Sequence, residues 1–215
     1  MKILFKDFKP EAFSFEKDPL LVLEEFWTLE DQVFFQKAMK QATWKSLDKM
    51  PETSKSFPNC GKWKKGDIGQ TEKERFLEKI NLSCVADYMG SSPDKKQSEL
   101  NLNYFSFGVG DCLSIHDDMD ATSNEQSPSR RLAIVAYFHD KWDVDWGGEL
   151  IVYDAVKADP NKQALVEISE CVAPNPRSLV IFTIPRFHRV CRVDPRADEG
   201  YRQLSIETWF MTGDE

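Results

Sequence analysis

The chain has 215 residues, of which 41% are hydrophobic and 12% aromatic, and its formal net charge is −8. That length suits one domain with a sizeable core, and the acidic balance without a long basic run argues against sequence-independent binding of nucleic acid. No apolar run approaches the roughly 20 residues that span a bilayer. Charges at Lys2, Lys6 and Asp7 come too early for a signal peptide. We therefore expect neither a membrane nor a nucleic acid as a partner.

The cysteines indicate a reducing compartment. Their number is odd, their spacing is wide and no C-x-x-C pair occurs, which argues against a zinc finger or a disulfide framework. The five are Cys60, Cys84, Cys112, Cys171 and Cys191. Without a targeting segment, the expectation is a cytoplasmic protein.

The first hundred residues are expected to form helical support with loops. Residues 1–18 predict an arm or an edge strand, and residues 20–23 predict a short strand. Thr28 is typical of a helix N-cap, with acids in the turn behind it, and this helix should end near 44–47. Its apolar stripe at helical spacing consists of Phe34, Phe35, Ala38, Met39 and Ala42.

A long loop and a second helix complete this half. Residues 50–70 combine prolines and glycines with many polar residues, which predicts a loop of the kind that often serves function. The segment 71–74 reads as a capping box, and an apolar stripe from Phe76 to Tyr88 predicts a helix that ends at Gly90. Apolar stripes on two helices are most simply faces that pack on a sheet.

From residue 102 onward the pattern changes to short strands separated by turn residues. About eight strands at this spacing predict a sandwich or barrel of the jelly-roll type. The predicted strands are 102–107, 112–116, 131–138, 149–153, 165–172, 178–184, 188–193 and 202–211. We expect a single domain over 1–215, with 1–100 as support and 101–211 as the β core.

The stretch Tyr104–Asp118 carries the first sign of chemistry. Side chains two apart on a strand share a face, so His116 and Asp118 can point at one centre. Such a pair supplies two of the three protein ligands in the facial triad of non-haem Fe(II) oxygenases. A His-x-Asp pair alone is more often a surface or turn feature. His188, one of three histidines in the chain, follows a predicted strand and would complete the triad.

The C-terminal half, roughly 101–210, resembles the iron(II)/2-oxoglutarate-dependent dioxygenase superfamily in its prolyl-4-hydroxylase-like branch. Each matching piece is weak alone, whereas all of them in order are specific. In chain order the pieces are Gly110-Asp111-x-Leu113-x-x-His116-x-Asp118, the strand 131–138 with Trp142 and Gly147-Gly148-Glu149-Leu150, Pro174-x-x-x-Ser178 to Phe182 with His188-x-Val190, and Arg202-x-x-Ser205-Ile206 with Trp209-Phe210.

The resemblance implies a double-stranded β-helix, so the fold class is α+β, mainly β, with N-terminal supporting helices. It implies Fe(II), 2-oxoglutarate as co-substrate and O2, with ascorbate as an optional aid. His116, Asp118 and His188 would hold the metal. Tyr137 would place its hydroxyl on the distal carboxylate of 2-oxoglutarate, and Tyr104 is a further pocket candidate.

The resemblance also implies a pocket cation for that distal carboxylate. Arg202 is the first candidate, because a guanidinium fork matches a carboxylate in two parallel hydrogen bonds. In this branch the cation lies six residues before the tryptophan of the last strand, but Arg202 lies seven before Trp209 and Gln203 holds the usual place. Strand alternation then aims Arg202 at the opposite face unless a β-bulge intervenes. Arg192 and Arg196 are the alternatives.

The leading hypothesis is hydroxylation of a C–H bond, in first place on a prolyl residue of a peptide or protein, with 2-oxoglutarate decarboxylated to succinate and CO2. A free amino acid or small metabolite is the second substrate class, and a non-catalytic β-barrel binding module is the rival of another class. Asp118 argues against halogenation, since halogenases of this fold lack that carboxylate. The acidic charge disfavours nucleic-acid demethylation. Substrate specificity is expected in segments 1–70 and 117–130.

Overall fold

A computed structural model describes residues 1–90, 101–118, 130–155, 166–197 and 200–211. The strands are β1 Lys2–Leu4, β2 Leu20–Glu24, β3 Trp44–Ser46, β4 Lys64–Asp67, β5 Asn103–Phe107, β6 Leu113–His116, β7 Arg130–Tyr137, β8 Leu150–Ala155, β9 Val166–Val172, β10 Leu179–Thr183, β11 His188–Val190 and β12 Gln203–Met211. The helices are α1 Leu29–Gln41, α2 Pro51–Ser56, α3 Gln70–Ile80 and α4 Ser83–Met89. Within these ranges no helix is long and apolar enough to cross a bilayer.

Two sheets face each other. The larger runs in the order β1-β2-β10-β7-β12-β5-β4-β3 and the smaller in the order β6-β11-β8-β9. Neighbouring strands are antiparallel except β1 with β2. Side chains from both sheets meet in one apolar cluster, in which Val180 and Phe182 of the larger sheet pack with Leu150 and Val152 of the smaller. The strand ends around this cluster enclose a pocket.

The helices cover the outer face of the larger sheet. Because side chains alternate along a strand, Ala133 and Tyr137 of β7 point inward, whereas Leu132 and Ile134 point outward. The outward set packs against the apolar stripes of α1 and α3, with Phe35, Phe76 and Ile80 among the fully buried side chains. The predicted role of these stripes as sheet-packing faces is confirmed.

The eight strands predicted between 102 and 211 are all present, each within about two residues at most ends. The N-cap at Thr28 is also confirmed. Its hydroxyl accepts a hydrogen bond from Asp31 N–H at 3.1 Å, and the Asp31 carboxylate accepts one from Thr28 N–H at 3.0 Å. This is a reciprocal capping box.

Two predictions for the first seventy residues are corrected. The first helix ends at Gln41 rather than near 44–47, because 44–46 pairs with β4 as an edge strand. The predicted loop 50–70 contains a short helix, α2, and a strand, β4, that pairs with β5. Sheet pairing overrides local propensity in both cases. β3 and β4 join the larger sheet although they precede residue 101.

The second predicted helix is two helices. The chain between α3 and α4 leaves helical geometry at Asn81 and Leu82, where Leu82 is extended with ψ 141°. The predicted capping box at 71–74 is wrong, because α3 begins two residues earlier than predicted, with Gly69 as its N-cap. Gly90 ends α4 in the left-handed conformation with φ 65°, as predicted. Residues 119–129, most of the second segment in which substrate specificity is expected, lie outside the described residues.

Candidate metal centre

Strand register brings the two predicted histidines together. β6 and β11 are antiparallel neighbours, and His116 is the direct partner of His188. Directly opposed side chains in an antiparallel pair lie roughly 5 Å apart at Cβ. The two imidazole rings are accordingly 4.1 Å apart between centroids, although 72 residues separate them in the chain.

Asp118 reaches the same point by a turn and not by strand alternation. β6 ends at His116, and Asp118 adopts a left-handed backbone with φ 60°, which is uncommon outside glycine. Its Oδ1 lies 3.5 Å from His116 Nε2, and its Oδ2 lies 3.3 Å from His188 Nε2. The predicted meeting of His116 and Asp118 is therefore observed, but its cause differs from the one the sequence indicated.

Local hydrogen bonds fix the direction of both imidazoles. His116 Nδ1 lies 2.8 Å from the carbonyl oxygen of Ser114, and His188 Nδ1 lies 2.8 Å from that of Arg186. A ring nitrogen facing a carbonyl must carry the proton, so each Nε2 presents a lone pair towards the other two groups. This is the second-shell arrangement by which proteins orient metal-binding histidines.

Asp118 is oriented from the opposite sheet. Trp209 on β12 donates its indole N–H to Asp118 Oδ2 at 2.5 Å. The indole thus occupies one lone pair of the carboxylate and leaves Oδ1 on the side of His116. Trp209 therefore belongs to the site as a positioning residue.

The electrostatics favour the metal-binding protonation states. Burial, together with the neighbouring His188, lowers the pKa of His116 to about 4. Burial alone would raise the pKa of Asp118, but the hydrogen bond and charge of His188 hold it below its ordinary value. At neutral pH the His116 imidazole is neutral and the carboxylate is ionised, as metal binding requires.

The three donor atoms lie within 4.8 Å of one another, and in the described part of the chain they form the one cluster of this kind. Two imidazole nitrogens and one carboxylate oxygen on one side, with open space on the other, match the facial triad of Fe(II) oxygenases. The residues present fit an iron ion.

The open side faces a pocket of about 580 Å³ between the two sheets. The apolar walls include Phe182, whose ring lies 4.9 Å from that of His188. Residues at the end of α2 form one rim, and the Phe57 ring lies 5.2 Å from that of His116. The segment predicted as a loop therefore contributes a wall of the pocket.

Tyr137 lies where the sequence predicted. Its side chain is buried on the inner face of β7 and lines the pocket. Burial, with the nearby carboxylate of Glu207, raises the pKa of its hydroxyl, which therefore remains protonated and can donate a hydrogen bond. Its assignment to 2-oxoglutarate stays a prediction.

Arg202 does not line this pocket, so its predicted contact with 2-oxoglutarate finds no support in the geometry. Its Nε donates to Ser106 Oγ at 2.5 Å, and its Nη2 contacts Asp111 Oδ2 at 3.2 Å. Its guanidinium also lies so close to Gly108 that a Cβ there would clash. No bulge restores the register, so strand alternation places Arg202 on the outer face.

The other predicted pocket residues also lie elsewhere. Tyr104 faces the outer core, where its ring lies 6.2 Å from that of Trp44, because it is one residue out of phase with the inward-facing Phe105. Arg192 donates to the carbonyl oxygens of Gly110 and Asn59. Exposed Arg196 pairs with Asp194 and Asp145. None of the three lines the pocket.

Two charged strand residues of the pocket were not among the predicted site residues. Glu207 lies two residues before Trp209 on β12 and shares its inward face. Lys65 is on β4, in the stretch predicted as a loop, and also lines the pocket. The alternation from Trp209 could have revealed Glu207, whereas Lys65 had no comparable signal because the strand itself was not recognised.

Comparisons with known proteins agree with this geometry. The 2OG-Fe(II) oxygenase superfamily, where 2OG denotes 2-oxoglutarate, matches residues 101–211, just over half of the chain. The prolyl 3-hydroxylase OGFOD1 of Mus musculus is 26% identical over 211 residues, which is 94% of this chain and 35% of the mouse protein. The chain thus spans about a third of the length of that relative.

Solved structures share the fold at low identity. The Pseudomonas putida prolyl-4-hydroxylase has a TM-score of 0.60 at 13% identity, covering 93% of this chain and 96% of that one. The viral collagen prolyl hydroxylase of Paramecium Bursaria Chlorella virus-1 has a TM-score of 0.54 at 11% identity, covering 93% and 98%. At these identities the likeness confirms the predicted double-stranded β-helix.

The family match also bears on the predicted chemistry. Oxygenases of this superfamily use Fe(II), 2-oxoglutarate and O2, which agrees with the predicted enzyme class and with the three predicted cofactors. The optional use of ascorbate and the cytoplasmic location stay predictions. Because the match covers more than half of its residues, the chain belongs to the 2OG-Fe(II) oxygenase superfamily.

Proposed function

We propose that this chain hydroxylates a C–H bond of a prolyl residue in a peptide or protein, with 2-oxoglutarate decarboxylated to succinate and CO2. One observation carries the proposal: His116, Asp118 and His188 converge on one point beside an open pocket, with both Nε2 atoms oriented by backbone carbonyls. These three residues would hold Fe(II). The bound metal, with O2 and 2-oxoglutarate, would supply the oxidant.

The remaining pocket residues prepare the site. Trp209 fixes the Asp118 carboxylate, so that all three ligands occupy one face and leave the opposite positions open. Phe182 packs against His188 and limits the access of water to that ligand. Tyr137 offers a buried hydroxyl to an anionic co-substrate. These contacts keep the ligand geometry rigid before any substrate binds.

A peptide substrate is supported by the rim and by the relatives. Glu52 and Ser56 on α2 are exposed where they border the pocket, so the opening continues to the protein surface. Phe57 presents an aromatic ring at the same rim, a surface on which an apolar ring such as that of proline can pack. Mouse OGFOD1 is named a prolyl 3-hydroxylase, and a similar structure from Trichoplax adhaerens is a prolyl hydroxylase in complex with a peptide fragment.

The test combines binding with turnover. Purified protein is titrated anaerobically with Fe(II) and 2-oxoglutarate. Succinate formation and a mass increase of one oxygen in the substrate are then measured with ascorbate present. The substrates are proline-containing peptides, free proline and small carboxylic acids that can be hydroxylated at C2. We expect Fe(II)-dependent succinate formation that is stimulated by peptides and not by free proline.

Two outcomes would contradict the proposal. Stimulation by free amino acids alone would replace the peptide substrate by a metabolite while leaving the chemistry intact. Ligand binding without succinate formation on any substrate, unchanged in His116→Ala, would indicate a binding module that keeps the fold.

A further inference from the structure

The positively charged side chain in the pocket of this chain lies on a strand that the sequence did not predict. 2-Oxoglutarate carries a distal carboxylate that must be neutralised once it leaves water, since a buried unpaired charge is costly. Among the described residues that line the pocket, Lys65 is the only lysine or arginine. It is half-buried and lies on β4, two strands away from the last strand of the core, β12.

Strand register aims Lys65 inward. Lys65 pairs with Phe105, Phe105 pairs with Ser205, and Ser205 pairs with Tyr137. Directly paired residues of antiparallel strands project from the same face of the sheet. Lys65 therefore shares one row of the inner face with Tyr137, whose hydroxyl is available to the same ligand.

Among the described residues, the last strand presents no lysine or arginine on its inner face. Arg202 is turned to the outer face and held by Ser106 and Asp111. Gln203 takes the inward position, but its side chain is neutral and its Nε2 donates to the carbonyl of Gly148 at 2.9 Å. The residues of β12 that line the pocket, Glu207, Thr208 and Trp209, thus bring no positive charge to it.

The charge of Lys65 acts inside the pocket. Glu207 lines the same cavity, and Lys65 lies close enough to lower the pKa of this carboxyl, against a larger opposite effect of burial. The ammonium is therefore within electrostatic reach of an inward-facing carboxylate. A second carboxylate brought by a ligand would compete for the same ammonium.

We infer that Lys65, with the Tyr137 hydroxyl, binds the distal carboxylate of 2-oxoglutarate. This role rests on the proposed function, because it concerns the co-substrate of that reaction. The positive charge that recognises the distal carboxylate thus lies on β4, in the N-terminal segment, and not on β12 at the end of the core.

The decisive measurement compares two ligands and two adjacent lysines. Anaerobic calorimetry with Mn(II) in place of Fe(II) gives the Kd of 2-oxoglutarate and of 2-oxopentanoate, which has a methyl group where the distal carboxylate would be. Lys65→Met should weaken 2-oxoglutarate about 10- to 100-fold and leave 2-oxopentanoate within about 3-fold. Lys64→Met is the matched control, since Lys64 is exposed on the other face of β4.

Other results separate the alternatives. Equal binding of 2-oxoglutarate by wild type and Lys65→Met would overturn the inference and leave the proposed function intact. Wild type that binds neither ligand would overturn both. Equal weakening of both ligands, reversed by adding Glu207→Gln, would mean that Lys65 only neutralises Glu207, which also overturns the inference.

A measurement without substitution covers the case in which Lys65→Met misfolds. Acetic anhydride labels accessible amines, and mass spectrometry reports each lysine separately. Saturating 2-oxoglutarate should protect Lys65 at least about 5-fold while Lys64 stays unchanged, because only Lys65 is engaged by the ligand. Equal labelling of Lys65 with and without 2-oxoglutarate would contradict the inference, and Lys65→Arg should retain binding where Lys65→Met loses it.

Discussion

Two carboxylates on opposite faces of the larger sheet show how the molecule divides its structural and chemical tasks. Asp31 lies in the outer, helical layer, where it accepts hydrogen bonds from Thr28 and pairs with Arg75 at 2.8 Å and Lys79 at 3.2 Å. Burial opposes ionisation, but these partners outweigh it and lower the pKa of Asp31 to about 2. The partners of the outer carboxylate thus more than offset the cost of burying its charge.

Glu207 lies on the inner face, where neighbouring groups offset much less of the cost of ionising a buried carboxyl group. It accepts a hydrogen bond from Ser205 at 2.8 Å, but burial and the charge of Asp118 raise its pKa to about 7, and only part of this is offset by His188 and Lys65. A compensated acid stabilises the fold, whereas an uncompensated acid in a cavity is available for chemistry or ligand binding.

The largest expected effect comes from removing a proposed metal ligand on the inner face. In His188→Ala the metal loses one of three protein donors, and we expect Fe(II) affinity and 2-oxoglutarate turnover to fall more than about 100-fold, beyond the loss typical of second-shell changes. Anaerobic Fe(II) titration and succinate assays measure both.

His139→Ala is the matched control for this variant. His139 is equally buried, but its Nε2 lies 2.7 Å from the carbonyl oxygen of Pro174 and it does not line the pocket. It should lose stability and keep metal affinity per folded molecule. Comparable metal affinity in His188→Ala and wild type would remove His188 from the centre.

The next effect belongs to the outer face. Asp31→Asn removes the charge that pairs with Arg75 and Lys79, and we expect the free energy of unfolding to fall by about 2 kcal/mol at pH 7. The pKa of Asp31 is lower in the folded chain than its ordinary value of 3.8. Wild-type stability from this group is therefore present above pH 4 and lost as pH falls towards 2, so the two chains should converge in acid.

Urea unfolding at several pH values measures this difference. Glu30→Gln is the control, because Glu30 pairs with the same Arg75 but its side chain is 84% exposed, and such pairs contribute at most about 1 kcal/mol. A loss in Asp31→Asn that persisted unchanged at pH 2 would show that the charge is not its source.

Trp209→Phe tests the orientation of Asp118 from across the pocket. The indole N–H that bonds Asp118 at 2.5 Å is lost while the aromatic ring is retained. Outer-shell hydrogen bonds of this kind contribute about 10- to 100-fold to metal affinity. Metal titration should show that loss, and thermal unfolding of the metal-free protein should change little. A large drop in stability with unaltered metal affinity would make Trp209 a packing residue only.

The contrast also explains how far the sequence could predict the molecule. The strands after residue 102 were predictable because apolar residues alternate and turn residues separate them. β3 and β4 were not, since each is short and has no alternation of its own. They exist because β5 offers an edge to pair with. Likewise His116 and His188 could be predicted as metal ligands from their residue type, but the left-handed turn that brings Asp118 beside them could not.

Site residues that depend on register were the hardest to predict. A shift of one residue decides whether Arg202 or Gln203 lies on the inner face of the larger sheet, and a family pattern cannot fix this without the pairing partners. Lys65 and Glu207 were not predicted as site residues for the same reason. The face of the sheet to which each side chain points is known only once the pairing of its strand is known.

The smallest predicted effect tests Glu207 directly. Its folded pKa of about 7 lies above its ordinary value of 4.5, so its contribution to stability is present below pH 4.5 and is lost as pH rises through 7. Glu207→Gln keeps an oxygen that can accept from Ser205 and removes the ionisation. We expect this variant to exceed wild type in stability by about 1–2 kcal/mol at pH 8, less than the full shift implies because the side chain borders the pocket, and by little at pH 5. Thermal unfolding of the metal-free chains at both pH values measures the difference. A variant less stable than wild type at pH 8 would place Glu207 with Asp31 among the compensated acids and erase the contrast between the two faces.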